Sequence, residues 1–521
     1  MKSIWRIVIP AIIALAFVKI SNAQWITHHN PVPQPDIAKP AVGVPITDPQ
    51  FGTTVMRISN ARESEFAGIV PQYSKRQAWN ADDSFLLLHT GDGRTLLYDG
   101  QTYAPVKELD GYFGVDVFWH PTDPNVFYFN PDSILYSYNL SHSIATRLHV
   151  FTPYTWANTR GEGNMSNDGR YYAVVGQVYD YITYEVTFKD IVVCDLQTNT
   201  EISVLSIPQD SISSFDWVSI SPLGNYVVVD YANEITGRYN GVELYDRNLN
   251  FIWQKPLGAG HSDLGVDANG DEVLVMDIYD PVENVYHIKK FQLSDGQETT
   301  LLSVSQLFDL HISLQNQQRS EWCFISTFDS PGRLTDVGIS WLPFEDEIFA
   351  VKLDGSGEVQ RIAHHHSRRY SPSTPDPDNS VYWAEPHATV SRDGSRILFG
   401  SNWREDVESD SSVDTYLVNF SSWVSVQRQG ESHRQGLNLN QNYPNPFNIS
   451  TVIGYHLPVG ARVTLKVYDI IGRELVRLVD EYREAGRYEV EFDAAELPSG
   501  VYIYRLQAGK FMDSKKLLYV K

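Results

Sequence analysis

Cysteine is nearly missing from this chain: 521 residues carry two, Cys194 and Cys323. That excludes a disulfide scaffold and a zinc site built from thiolates, and leaves two buried structural thiols or a single disulfide. Basic residues are also scarce. Lys and Arg total 41 against 64 Asp and Glu, a net charge of −23, which speaks against a nucleic-acid backbone or an anionic lipid surface as the main partner. Long apolar runs are lacking too. The most apolar segment, Ile7 to Val18, falls short of the roughly 20 residues that a membrane helix needs. Helical periodicity is nearly absent, and there is no G-x-S-x-G elbow, H-E-x-x-H pair or phosphate loop. What is abundant is apolar and aromatic residue, 42% and 12%, enough for a large core and against disorder.

The run from Ile7 to Val18 follows Lys2 and Arg6 and leads to Ser21-Asn22-Ala23 before Gln24, which predicts a secretory signal peptide over residues 1–23. Its removal takes away Lys2, Arg6 and Lys19, leaving 38 − 64 = −26. The expectation is an acidic exported protein without a transmembrane segment in the mature chain. Residues 24–50 read as an N-terminal extension.

From Phe51 to Phe420 one local pattern returns: a short apolar strand, a polar turn, then a strongly apolar strand. The turns include Trp79-Asn80-Ala81-Asp82-Asp83-Ser84, Met165-Ser166-Asn167-Asp168-Gly169-Arg170, Ser221-Pro222-Leu223-Gly224-Asn225, Asp267-Ala268-Asn269-Gly270-Asp271 and Ser391-Arg392-Asp393-Gly394-Ser395. Weaker copies stand at His120-Pro121-Thr122-Asp123 and near Asn316-Gln317-Gln318-Arg319. Such turns tolerate the positive φ of tight hairpins. A second motif follows in the same order, as Leu97-Tyr98-Asp99, Val193-Cys194-Asp195, Leu244-Tyr245-Asp246 and Val351-Lys352-Leu353-Asp354. Four strands per unit, repeated about every 40 to 65 residues, predict an all-β fold, a β-propeller of about seven blades over residues 51–420. The strand from Thr53 to Ile58 is expected to close the ring.

The polar stretch 421–436 reads as a linker. Beyond it, strands at Thr451–His456, Arg462–Asp469, Arg487–Phe492, Val501–Ala508 and Lys515–Val520 suffice for a small Ig-like antiparallel sandwich over residues 437–521. Within it lie Asn442-Tyr443-Pro444-Asn445-Pro446-Phe447-Asn448, Val467-Tyr468-Asp469-Ile470-Ile471-Gly472-Arg473, Leu497-Pro498-Ser499-Gly500-Val501-Tyr502 and the terminal Lys515-Lys516-Leu517-Leu518-Tyr519-Val520-Lys521. These ordered motifs resemble the C-terminal sorting domain of the type IX secretion system. The resemblance implies a Bacteroidetes-type bacterium, passage through the periplasm, engagement of the type IX translocon, and a final place outside the cell or on its outer surface. The residues that carry it are Asn442, Pro444, Asn445, Pro446, Phe447, Gly500, Lys515 and Lys516.

A propeller's obvious site is its central channel, lined by the innermost strand of each blade. In the last three blades a histidine stands shortly before the turn motif: His261 in Gly260-His261-Ser262-Asp263, His311 in Leu310-His311-Ile312-Ser313 and His387 in Glu385-Pro386-His387-Ala388. They are expected on one wall of the channel, with Glu385 and Asp263 alongside. Imidazoles with a carboxylate suit a divalent metal such as Mn, Ca or Zn, and a histidine is also a competent general base. Arg160 and Glu162 lie near another inner strand, to grip a substrate carboxylate or to pair with each other. The run His364-His365-His366 is expected on a surface loop outside the cluster. Asp267, Asn269 and Asp271 start like a calcium loop, but Glu272 and Ile278 stand where glycine and the bidentate glutamate are required, so this is a hairpin turn.

This histidine pattern resembles the TolB-like, seven-bladed oligogalacturonate lyases. The resemblance implies His261 as base and His311 and His387 as metal ligands. It departs at Glu385, where that family supplies a histidine, and near Tyr382, where it supplies an amide. Two functions follow. One is an exported propeller that binds a glycan or other extracellular ligand through loops such as Tyr179, Tyr181 and Tyr184; the other is a metal-assisted polysaccharide lyase acting on uronate-containing glycans, with Arg160 contacting the carboxylate.

Overall fold

In the computed structural model the recurring motifs close hairpins for one shared reason. Gly169, Gly224, Gly270 and Gly394 have φ of 70°, 74°, 87° and 65°, the left-handed region that glycine enters without steric cost. Their N–H groups donate to the carbonyls of Ser166, Ser221, Asp267 and Ser391 at 2.7–2.9 Å. The second motif initiates the following turn. Asp99 Oδ1 accepts from the N–H groups of Gln101 and Thr102, Asp195 Oδ1 from Gln197 and Thr198, and Asp246 Oδ1 from Asn248 and Asn250. An aspartate that captures such N–H groups withdraws them from the ladder and turns the chain.

The structure describes residues 25–64, 66–208, 215–231, 237–258, 260–329, 340–369, 382–404, 412–420, 438–439, 442, 445, 447–457, 460–469, 473–484, 486–495, 497–508 and 511–521. The signal-peptide reading of 1–23, the linker reading of 421–436 and the motif residues Pro444 and Pro446 lie outside these residues. The chain divides into two compact units, Met1–Ser421 and Ser422–Lys521.

The first unit is a seven-bladed propeller. Blade 1 runs from its inner strand Ile69–Val70 through Phe85–Thr90 and Thr95–Asp99 to Pro105–Leu109. Blades 2 to 6 begin on the inner strands Asp116–Trp119, Trp156–Asn158, Trp217–Ile220, Ser262–Val266 and Phe308–Ser313. In blade 7 the inner strand Thr389–Val390 is followed by Arg396–Ser401 and Asp414–Asn419, and the sheet is then completed from the other end of the chain by Thr54–Arg57 and Pro45–Thr47. Thr54 pairs with Asn419 and Arg57 with Tyr416, so the expected closing strand does close the ring. Middle strands are covered on both faces by neighbouring blades, which is why they read as unbroken apolar runs such as Val227-Val228-Val229, all 0% exposed. The core is accordingly a series of layers between adjacent sheets; one joins Val275 and Ile288 of blade 5 to Ile312, Ile325 and Phe349 of blade 6. Both cysteines are free and buried in these layers. Among the described residues there is no α-helix, and no helix is long and apolar enough to cross a membrane.

The N-terminal extension straps blades 6 and 7 and accounts for a difference from expectation at His364-His365-His366. These residues are 0%, 0% and 4% exposed rather than on a surface loop. His364 Nε2 lies 3.0 Å from Val32 O, and the His366 N–H donates to Gln34 Oε1. Beside them Arg361, fully buried, donates to Glu347 Oε2 at 2.7 Å and to Asn30 O at 2.5 Å. His365 Nε2 faces Thr327 O at 2.7 Å while its Nδ1 accepts from the Ser367 N–H at 3.0 Å, an arrangement that requires the neutral ring with its proton on Nε2.

Burial lowers the pKa of His89 to about 4 and those of His365 and His366 to about 3, against 6.5 in the unfolded chain. Each group therefore contributes stability that is complete above pH 6.5 and is lost as the pH falls through 6.5 toward the folded value. Between pH 7 and pH 4.5 each of these histidines lowers stability by about 1.4 kcal/mol per unit at most, while the buried carboxyls of Asp216 and Asp263, raised to about 6, and of Asp277, raised to about 7, act in the opposite direction. His89→Gln should therefore gain stability relative to wild type as the pH falls from 7 to 4.5; a difference in melting temperature between the two that does not change over this range contradicts the assignment.

In the second unit two sheets face each other. One is Asn438–Leu439, Ser450–Leu457 and Gly486–Asp493; the other is Glu474–Arg483, Ala461–Tyr468, Gly500–Ala508 and Phe511–Tyr519. One face of Gly500–Ala508 is buried and the other exposed in alternation, as a sandwich demands. Phe447, Ile453, Tyr455, Leu465, Tyr504 and Tyr519 share its separate core.

A candidate metal centre in the channel

His261 immediately precedes the inner strand of blade 5, His311 lies within that of blade 6, and His387 precedes that of blade 7 at a φ of 42°. Inner strands all run the same way around a propeller, so these positions converge at one end of the channel. The rings of His261 and His311 are 4.5 Å apart between centroids, and those of His311 and His387 are 4.3 Å apart. Glu385 Oε2 completes a group, 3.5 Å from His311 Nε2 and 3.6 Å from His387 Nε2. Its other oxygen pairs with Arg369 at 2.9 Å. The aromatic wall is Phe328, stacked on His311 at 4.9 Å, together with Tyr73 and Tyr382 against His387 at 5.2 and 5.1 Å.

His311, Glu385 and His387 are 1%, 3% and 3% exposed. Both ring nitrogens of His311 and Nε2 of His387 are buried without a hydrogen-bond partner, which is costly for polar atoms unless something else satisfies them. Ligands about 2.1 Å from a tetrahedral ion stand about 3.4 Å apart, close to the separations found here. Two imidazoles and a carboxylate fit manganese or zinc better than calcium, which seeks six to eight oxygens. Burial drives the electrostatics. It pushes the Glu385 carboxyl up to about 7 against the opposing pull of Arg369, and pushes His261 down to about 4, His387 down to about 3 and His311 well below its ordinary value. All three rings are therefore neutral at pH 7 with lone pairs to offer.

Residues 441–521 match the family model of the secretion system C-terminal sorting domain. The tail is a sorting domain. Its presence marks the chain as cargo of the type IX secretion system, bound for the cell surface or the medium. In this domain Asn442 donates from Nδ2 to Thr451 Oγ1 at 3.0 Å, Asn445 Oδ1 accepts from the Leu518 N–H, and Phe447 is buried beside Tyr519. Gly500 pairs with Tyr519, Ile503 with Lys516 and Tyr504 with Lys515, so the motif residues hold the two ends of the sorting domain together. Deleting residues 437–521 should leave the propeller folded, since the two units have separate cores, and strand the protein in the periplasm of its host. Normal appearance of the truncated chain outside the cell would contradict the assignment.

The propeller is similar to an oligogalacturonate lyase from Vibrio parahaemolyticus, with a TM-score of 0.52 and 13% identity over 72% of this chain and 96% of that one. It is similar also to an oligogalacturonate lyase in complex with manganese, with a TM-score of 0.51 and 15% identity over 74% and 97%. Identities this low establish the fold alone. No curated protein matches the sequence significantly.

The other residues singled out in the sequence do not join the ligand group. Arg160 is exposed, with its guanidinium 5.6 Å from the Phe188 ring centre. Glu162 pairs at 2.6 Å with Lys75 rather than with Arg160. Asp263 accepts from the Leu314 N–H at 2.7 Å and from Gln315, tying blade 5 to blade 6. Sequence reasoning missed Arg369, Tyr73 and Lys75. Tyr73 and Lys75 do precede the first turn motif at an offset similar to those of the histidines; Arg369 has no such signal.

Proposed function

We propose that the propeller is a metal-assisted lyase that cleaves uronate-containing glycans outside the cell. The observation that carries this reading is the buried His311, Glu385 and His387, whose ligand atoms lie within 4.8 Å of one another, with the neutral ring of His261 alongside. These three residues would hold the ion, leaving a position open to substrate as catalytic sites do. When bound, the metal neutralises the uronate carboxylate and so acidifies the hydrogen at C5. His261 takes that proton; the C5–H electrons form the C4–C5 double bond, and the C4–O4 bond breaks with the electron pair leaving on O4. The backbone of His261 is anchored by its N–H to Asp277 Oδ1 at 2.8 Å, and Glu162 favours the imidazolium that forms. Arg369, half-buried beside Glu385 and 3.9 Å from Asp309, orients Glu385 and adds positive charge where a uronate would sit.

The chain's net negative charge opposes an anionic substrate at long range, but salt screens this beyond about 8 Å, so the local cations decide. Metal analysis of the purified protein, with the absorbance of unsaturated uronides followed over a panel of acidic glycans, tests the proposal. Absence of elimination on every glycan, with and without added manganese or zinc, would leave the binding reading. That second reading rests on Tyr181 and Tyr184, 74% and 76% exposed. They lie in the hairpin between Tyr171–Tyr179 and Val186–Asp195, on the histidine face, where Trp156, Tyr179 and Tyr181 pack in series at 5.4 and 4.9 Å.

A further inference from the structure

The channel opens into a cavity of about 450 Å³ at its other end, a size that suits a small organic ligand. Leu314, Asn316 and Arg392 of its wall follow the inner strands of their blades, whereas His261 and His387 precede theirs. The metal centre and the cavity therefore belong to opposite faces of the propeller. Apolar surface comes from Trp119, Met165 and Leu264, and amide groups from Gln77, Asn164 and Gln315.

Three polar groups of this wall differ in what they offer a ligand. Arg76 Nε and Asn316 Oδ1, on residues 3% and 2% exposed, are sealed inside the wall and out of reach of a ligand in the cavity. Arg392 donates to the carbonyls of Trp79 and Asn80 at 2.7 and 2.5 Å. The carboxylate whose charge bears on it, Asp83, is committed to Arg396 at 2.5 Å. Arg76, by contrast, is already neutralised by Asp116 at 2.8 Å. In so acidic a protein, a cavity whose spare charge is a guanidinium selects an anion, since a guanidinium matches a carboxylate in two parallel hydrogen bonds. The amide groups of Gln77, Asn164 and Gln315 beside apolar walls call for hydroxyl groups on a compact body.

We infer that this end of the channel is a second binding site, for a small hydroxylated carboxylic acid of the sugar-acid class, with Arg392 meeting its carboxylate. The site is independent of the lyase reading and of the metal.

Calorimetry on the mature, chelator-treated chain with glucuronate, and with glucose as the uncharged match, tests this. The expected result is one glucuronate per chain, bound at least tenfold more tightly than glucose and unchanged in His387→Ala. Arg392→Gln should weaken glucuronate at least tenfold. Leu264→Phe, which narrows the cavity without touching its charge or the Arg392 contacts, should weaken both sugars and serves if Arg392→Gln fails to fold. Equal affinity for glucose and glucuronate, no binding of either, or binding that is lost in His387→Ala but kept in Leu264→Phe overturns the inference.

Discussion

His261→Ala should abolish uronide elimination while the protein keeps its metal and its fold. A positioned base contributes about 10²–10⁴-fold to such a reaction, and no other imidazole among the described channel residues is free to replace it, because His311 and His387 are engaged as ligands in the proposed centre. His261 is half-buried at the start of its strand and is tied into the fold by its backbone N–H, not by its ring. Truncation should thus shift unfolding by no more than a few degrees. The loss should appear in kcat with little change in KM, since the proton is in flight only in the transition state. Full activity in His261→Ala, with metal content unchanged, would mean that another group takes the C5 proton.

A second large effect is expected at the ligands. His387→Ala and Glu385→Gln should each lose metal and activity together, by more than the 10–100-fold seen when residues behind a metal ligand are changed. The two variants differ in what they leave behind. His387→Ala keeps one imidazole and one carboxylate in the cluster; Glu385→Gln keeps both imidazoles and supplies an amide, but Arg369 loses the carboxylate that pairs with it at 2.9 Å. Added manganese or zinc at high concentration should therefore restore Glu385→Gln more readily than His387→Ala. Metal bound at wild-type stoichiometry in both variants would remove His311, Glu385 and His387 from the role of ligands.

Both effects depend on a site that local sequence outlined only in part. The histidines were identifiable because each stands shortly before a turn motif, and the motif itself marks where an inner strand ends. Glu385 came with His387 by adjacency. Arg369 was not identifiable, since it reaches the cluster from the connection between blades 6 and 7, outside any repeat. Lys75 illustrates the same limit: its partner Glu162 lies 87 residues away, and nothing in the spacing favoured that pairing over Glu162 with Arg160, two residues apart.

The sequence alone determined most of the strands, the turns, the order of the blades and the closing strand, but not the strand Glu474–Arg483 of the tail or Pro45–Thr47, which joins blade 7 from the expected N-terminal extension. Each of the former is set by local chemistry: glycine or aspartate where φ turns positive, an aspartate that captures N–H groups after a strand, unbroken apolar runs where both faces are covered. Only the tertiary structure decided which side chains meet. Ring closure places His261, His311 and His387 within 4.5 Å of their neighbours between ring centres, and it leaves Arg392 on a cavity wall at the far end of the channel. It also turns the His364-His365-His366 run from an expected surface loop into buried structure, because residues 28–34, more than 300 positions earlier, fold over it. A repeat specifies the conformation of each unit. The distances across the ring depend on how many units close it and on what the chain's two ends add, and those are properties of the whole.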